Sequence, residues 1–528
     1  DDKGIVQRAA VACGVGAWLI ASKAVPWATG AKARTRVDVY APAMGHGEAV
    51  EKVTRQRAEA MASRLIEADR YRKGMSPGYP LGLNIVDNTS MYTSWEDMAI
   101  VLAGPRSGKS LCYAIPAVLS APGPCLATSN KGDILDVTAP IRRLDHPNGE
   151  IWTFDPERIA DPNRKSAPWV WDLIASVQSI ADAKRIADCW RYASGQPQTG
   201  GDDFFPGTAA QQLADYLFAA HLGGRSVSDV FRWCSNERDT SPADILSEYP
   251  RYAGIASRVS SVIALTPETR SGVFGSLQTM VAFLADPEII DWIDPHRDAN
   301  GNIDERRGLF DPYEFATSED TLYLLSAQGR PSTALTASLA VVAFTAFQRA
   351  QSEFTGNNRR LPVPLCCVLD EAANICRWPE LADVYSYFGS AGIPIMTIWQ
   401  NPDQGRAAFG ETNFGSLFNN ANITVYLGGI KDAKFLGEIS QLVGQREIVR
   451  GSVNIDGTGR RSVNNSIQKE NILDVSDLTE WPVGRALLLA SQSRAQIVKT
   501  LPWTGNRQWA DALAQAKAKA REEQRKAA

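Results

Sequence analysis

Val101-Leu102-Ala103-Gly104-Pro105-Arg106-Ser107-Gly108-Lys109-Ser110 decides the fold of this chain, because a short apolar run empties into a glycine-rich turn that ends in Gly-Lys-Ser. That order predicts a strand, a phosphate-binding loop and then a helix. Backbone N–H groups freed by the glycines point at phosphate oxygens, Lys109 reaches the β- and γ-phosphates, and the Ser110 hydroxyl holds Mg²⁺. The candidate nucleotide-binding residues are Ala103, Gly104, Pro105, Arg106, Ser107, Gly108, Lys109, Ser110 and Leu111. Ala103 stands where the consensus has its first glycine, and Gly104 beside it supplies the flexibility. A turn that binds nothing would not need Gly-Lys-Ser followed by the apolar helix expected over residues 111–119.

A phosphate loop needs a carboxylate partner, and residues 363–374 supply one in Val-Pro-Leu-Cys-Cys-Val-Leu-Asp-Glu-Ala-Ala-Asn. The apolar run reads as a strand buried on both faces, so its end emerges at the carboxyl edge of a parallel sheet, where ligands of open α/β folds bind. Asp370 is the candidate Mg²⁺ holder through water, and Glu371 the candidate base that orients and deprotonates an attacking water. An acidic pair after a strand can also be a simple helix cap. The phosphate loop upstream favours the catalytic reading. Residues 394–398 form a further apolar strand that delivers Gln400 to the same edge, either as an amide sensing the γ-phosphate or as a cap of the turn Asn401-Pro402-Asp403.

With 528 residues, 44% apolar and 22% charged, the chain has the composition of a globular protein of several domains and excludes a disordered or fibrous one. A net charge of −4 leaves no basic coat for wrapping duplex DNA, so any nucleic-acid contact is expected in local loops or a pore. The eight cysteines form no C-x-x-C pair and the four histidines are scattered, which predicts reduced thiols and no structural metal. Residues 9–22 are apolar but shorter than the ~20 residues of a spanning helix. They read either as the cytoplasmic end of a membrane anchor, given Lys23, Lys32, Arg34 and Arg36 after them, or as a buried helix. The opening Asp1-Asp2-Lys3-Gly4 resembles the end of an acidic affinity tag.

Along the chain the pattern predicts a helix over 47–72, a loop over 74–88 marked by Pro77, Pro80 and glycines, and then alternating strands and helices to residue 154. This βαβαβ rhythm argues a doubly wound, mostly parallel sheet. From residue 173 to about 287 helical periodicity takes over, and strands resume at 321–326, 365–369, 394–398, 423–427 and 486–490. The expected division is therefore 1–46, an N-terminal segment that includes the candidate anchor end; 47–83, a helical linker; 84–172 with 300–505, the nucleotide-binding domain; 173–299, an inserted all-α domain; and 506–528, a charged and solvated helix. Residues 444–471, polar and carrying Arg446, Arg450, Arg460, Arg461 and Lys469, read as a long hairpin or mobile loop.

The joint order of Gly104 to Ser110, Ile115-Pro116, Thr128-Ser129-Asn130-Lys131-Gly132-Asp133, Leu369-Asp370-Glu371-Ala372-Ala373-Asn374, and Gln400 with Gln404 resembles the type IV coupling proteins of bacterial conjugation and type IV secretion, most nearly those of actinobacterial elements. The match spans roughly residues 84–500. It implies a RecA-like P-loop NTPase core with an all-α domain, using ATP and Mg²⁺, at the cytoplasmic face of the cell membrane and anchored through the N-terminal region. It further implies a ring of six when active, with a monomer expected on purification, and as partners DNA (single-stranded or duplex), a relaxase or relaxosome, and the channel proteins of type IV secretion.

One departure concerns the arginine that a neighbouring subunit usually contributes. Relatives commonly carry it just before the Gly-Ile that opens the sensor strand, where this chain has Phe388-Gly389-Ser390-Ala391-Gly392-Ile393. Arg330, which follows the strand at 321–326, is the expected replacement, with Arg377 the other candidate. The leading expectation is an ATP-driven motor that recruits DNA or protein substrates to a secretion channel. Two alternatives are a recruitment platform that binds nucleotide with little turnover, and a chromosome-segregation or repair translocase on the same core.

Overall fold

The computed structural model describes residues 34–72, 74–195, 204–295, 303, 307–326, 333–375, 378, 380–455 and 461–527. The apolar runs become strands: β1 (Pro80–Asn84), β2 (Ser90–Tyr92), β3 (Ala99–Leu102), β4 (Cys125–Ser129), β5 (Ile151–Phe154), β6 (Trp169–Trp171), β7 (Gly308–Phe310), β8 (Thr321–Leu325), β9 (Cys366–Leu369), β10 (Ile395–Trp399), β11 (Ile423–Tyr426), β12 (Gln445–Ile455), β13 (Arg461–Asn471), β14 (Arg485–Ala490) and β15 (Gln496–Lys499). Eleven of them form one sheet in the order β2-β1-β15-β14-β11-β3-β10-β9-β4-β8-β5. From β11 to β5 every neighbouring pair is parallel, and from β14 outward every pair is antiparallel.

The parallel strands are buried on both faces, and their side chains alternate between two layers of core. Ile100, Leu102, Leu126 and Leu369 join one apolar cluster, with residues of the helix Thr333–Glu353 and of the helices that follow β6. Val101, Ala127, Val368 and Ile398 join the other, with residues of the helices Ile115–Ser120 and Asp133–Asp145. The result is a RecA-like α/β core with helices on each side of a mostly parallel sheet.

Between β6 and β7 the described chain is helical: Ile180–Ala193, Phe204–Leu222, Val227–Ser235, Ser241–Ser247, Ala253–Ile263, Pro267–Val281 and Pro287–Ile293. Phe204–Leu222 is apolar nearly all round and forms the centre of this group, while side chains of Ser179 and Ser226 cap the two helices that flank it in sequence. β6 and β7 pair in parallel as a separate ribbon. Trp169 on that ribbon stacks edge-on against Trp292 at 4.9 Å and Trp152 of β5 at 5.5 Å, so aromatic rings join the helical group to the sheet edge.

The structure departs from the sequence-based expectation at some elements and decides between alternatives at others. Residues 74–88 are not a loop throughout, because β1 pairs with both β2 and β15. Pro80 opens that strand, where a missing N–H costs least, and Gly82 takes φ +127 at a register shift where any Cβ would lie 2.5 Å from the Lys499 carbonyl. The C-terminal helix Arg507–Ala527 is exposed over much of its length, as expected, but it is also anchored, since Leu513 is buried and Trp509 packs against the same cluster as the Asp133–Asp145 helix. Of the two readings of residues 444–471, the described parts favour the hairpin, since β12 and β13 pair in continuous register from Gln445 opposite Asn471 to Ile455 opposite Arg461. Among the described residues no single helix is long and apolar enough to cross a membrane, and residues 9–22 lie outside them.

Arg360 ties the amino-terminal edge of the core together. Its guanidinium donates to the carbonyls of Leu65, Trp95, Gly389 and Ser390 and pairs with Glu96 at 2.9 Å. Burial lowers its pKa to about 10, which leaves it charged at neutral pH. Replacing it leaves buried carbonyls without donors, at a cost of about 3 kcal/mol. Arg360→Met is expected to lower the midpoint of thermal unfolding by roughly 5 °C or more, measured by circular dichroism.

Candidate functional site

β3 delivers the glycine-rich turn to the carboxyl edge of the sheet. The Ala103 N–H donates to the Trp399 carbonyl at 2.9 Å and the Gly104 N–H to the Gly428 carbonyl at 2.9 Å, so the turn is moored to the ends of both neighbouring strands. A Cβ on Gly104 would lie 2.5 Å from the Gly429 carbonyl oxygen, which explains a glycine at this position independently of any ligand. Further along, Arg106 takes φ +61 and Gly108 φ +88. Pro105 and Arg106 are exposed, whereas Ser107 to Leu111 are half-buried.

The helix behind the turn begins unusually. Ser110–Ala114 is wound as a π-turn, with the Ile115 N–H donating to the Ser110 carbonyl, before regular helix runs over Ile115–Ser120. Pro116 accounts for it, because it has no N–H to offer the Cys112 carbonyl four residues back.

Two strands away, β9 delivers Asp370 and Glu371, both buried to 4% exposure or less. Lys109 Nζ lies 2.6 Å from Asp370 Oδ1 and 2.6 Å from Glu371 Oε1. The amide of Gln400, just beyond β10, donates to the same Glu371 Oε1 at 2.5 Å. Burial works against the Lys109 ammonium, but the two carboxylates outweigh it and hold its pKa above the usual lysine value. Burial also lifts Asp370 above the ordinary carboxyl range in spite of Lys109, and Glu371 and Asp133 push the same way. The cluster therefore carries one cation against two carboxylates in a poorly solvated place.

The structure thus brings together Lys109, Asp370, Glu371 and Gln400, with Ser110 and Leu111 on the first turn behind them. Arg330 and Arg377 lie outside the described residues. The segment from Phe388 to Ile393 leads into the amino end of β10 and is held by Arg360, at the opposite end of that strand from Gln400. Lys131-Gly132-Asp133 follows β4 on the carboxyl edge and starts the Asp133–Asp145 helix next to β9. Sequence reasoning missed two contributors. One is the Gly428-Gly429 pair, at φ +83 and +79, whose double glycine directly after a strand was the available signal. The other is the contact made by Thr128, whose hydroxyl donates to the Asp370 carbonyl at 2.8 Å; the residue opens the motif that ends in Lys131-Gly132-Asp133, but nothing in the sequence points to that bond.

Fold and site together define a RecA-like chain of the P-loop NTPase class. Residues 364–483 match the family model described as the TraM recognition site of TraD and TraG. Among solved structures the fold is similar to the bacterial conjugative coupling protein TrwBdeltaN70 in its unbound form, at 15% identity and a TM-score of 0.57 over 87% of this chain and 95% of that one. It is also similar to plasmid coupling protein TrwB in complex with ADP and Mg²⁺ (15% identity, TM-score 0.55, 83% and 91% covered) and with a non-hydrolysable ATP analogue (14%, 0.55, 87% and 96%). No curated protein matches by sequence. The resemblance to type IV coupling proteins read from the motifs agrees with the family-model match and with these likenesses of fold.

Without Lys109, the ionised Asp370 and Glu371 would face each other with no cation between them. Lys109→Met therefore raises the Asp370 pKa further in the folded protein than in the unfolded chain, so the folded state binds the extra proton and its stability falls as pH rises through that pKa. The nucleotide-free variant is expected to melt at progressively lower temperature, relative to wild type, as pH rises above the ordinary aspartate range of about 4, in a calorimetric pH series.

Proposed function

We propose that this chain binds ATP with Mg²⁺ at the Lys109 site, hydrolyses it, and uses the cycle as a coupling protein that passes DNA or protein substrates towards a type IV secretion channel. The observation that carries this reading is the convergence of Lys109 and Gln400 on Glu371 at the carboxyl edge of the sheet. The residues present also fit the ligands. Ser107 Oγ is buried without a hydrogen-bond partner in the same turn as Lys109 and Ser110, and Lys109 in turn meets two carboxylates, the donor and acceptor set that a nucleotide phosphate and its metal require.

In this reading Lys109 exchanges its carboxylate partners for the β- and γ-phosphate oxygens, and N–H groups of the turn from Gly104 to Leu111 take the remaining phosphate contacts. Ser110 and, through water, Asp370 would hold Mg²⁺, which neutralises charge on the phosphate oxygens when bound. Glu371, released from Lys109, accepts a proton from the water that attacks the γ-phosphorus as the bond to the bridging oxygen breaks. Gln400, already bonded to Glu371, orients that water and couples its departure to β10. Arg330 is assigned the trans-acting role across the interface of a hexameric ring, and the helical segment between β6 and β7 the role of an all-α domain within 173–299. Recruitment of a relaxosome, attachment to the cytoplasmic face of the membrane through the N-terminal region, and contact with DNA complete the proposal. The family match over residues 364–483 and the likeness to TrwB support these roles.

Turnover measured with and without single-stranded and duplex DNA tests the reading. Lys109→Ala is expected to abolish nucleotide binding, and Glu371→Gln to keep binding while lowering kcat by about 10² to 10⁴. Arg330→Ala is expected to remove DNA-stimulated turnover while nucleotide binding persists. Unstimulated or absent turnover in wild type, with substrate binding intact, would instead identify a recruitment platform.

A further inference from the structure

Glu371 takes φ +55, a left-handed backbone conformation that a residue with a side chain keeps only where its surroundings enforce it. That conformation aims the carboxylate back beneath the phosphate-binding turn, where Oε1 meets both Lys109 and Gln400. The peptide entering Glu371 has its carbonyl on Asp370, and this oxygen accepts a hydrogen bond from Thr128 Oγ1 at 2.8 Å. Thr128 belongs to β4, pairs in register with Leu369 of β9, and is 1% exposed. Water cannot replace its hydroxyl there. Turning the peptide plane to relax φ at Glu371 would swing the Asp370 carbonyl away from its buried donor.

We infer that Thr128 is a positioning residue for Glu371. Its hydroxyl fixes the plane of the 370–371 peptide and so sets the direction in which the catalytic carboxylate leaves the strand. The inference rests on the proposed hydrolytic role of Glu371. The Thr128 hydroxyl bonds to the main chain of Asp370 and not to the phosphate-binding turn, so its removal should act on the chemical step and leave phosphate binding intact. Valine keeps the branched shape that suits a buried strand and removes only the donor, whereas serine keeps the donor and removes a methyl group.

The test compares kcat, the KM for ATP and the Kd for a non-hydrolysable ATP analogue in wild type, Thr128→Val, Thr128→Ser and Lys109→Ala. The expected result for Thr128→Val is a kcat lower by about tenfold or more, with Kd and KM within about twofold of wild type. Thr128→Ser should recover most of the loss. Unchanged kcat in Thr128→Val overturns the inference while leaving hydrolysis at this site standing. So does an equal loss of kcat and analogue binding, or a Thr128→Ser variant as slow as Thr128→Val, because either marks a merely structural residue. If wild type shows no turnover above Lys109→Ala, the hydrolytic reading falls, and the role of Thr128 falls with it.

Discussion

The ion pair of Lys109 with Asp370 and Glu371 is the constraint around which the core is organised. It joins a turn that follows β3 to a strand end about 260 residues later, and it can form only if β3 and β9 run parallel with one strand between them. Two buried carboxylates would repel each other without a cation, and a buried ammonium would be equally costly without carboxylates. Each side therefore makes the other tolerable in a place with little water. The intervening strand, β10, contributes Gln400 to the same oxygen, so three adjacent strands converge on one side chain.

Much of this was legible in the sequence because the relevant residues lie at the ends of apolar runs. Residues 125–128, 321–326, 365–369, 394–398 and 423–427 were recognisable as strands since burial on both faces requires near-continuous apolar residues. The polar residues that terminate the strands before residues 109, 370 and 400 then had to sit on the same edge. The outer antiparallel strands were less visible. β1 contains Gly82 and begins with Pro80, residues that ordinarily punctuate loops, and its pairing partner β15 lies more than 400 residues away. Local composition carries no information about a partner so distant. The bond from Thr128 was hidden for a different reason: it depends on one hydroxyl meeting one carbonyl across strands, a relation that periodicity does not encode.

The helical segment between β6 and β7 is attached to the sheet edge through a cluster of aromatic rings. Trp152, Trp169, Trp292 and Phe310 meet edge-on or tilted at the last strand of the sheet, where the chain leaves the core and returns to it. Such contacts bury a large area while leaving the helices on either side free to diverge in sequence. The anchor is also distant from Lys109, since β5 is the outermost parallel strand and β3 lies five places along the order.

The contact between Gly104 and Gly429 leaves no clearance between two backbones. A methyl group on either residue would lie within 3.0 Å of the other's main chain, so neither segment can shift towards the other, and the bond from Gly104 N–H to the Gly428 carbonyl resists their parting. The phosphate-binding turn and the loop after β11 are consequently held against each other backbone to backbone. That loop runs directly into the helix Ala433–Val443 and then the β12–β13 hairpin. The root of the hairpin therefore lies one helix along the chain from the point where two missing side chains let the phosphate-binding turn touch its neighbour.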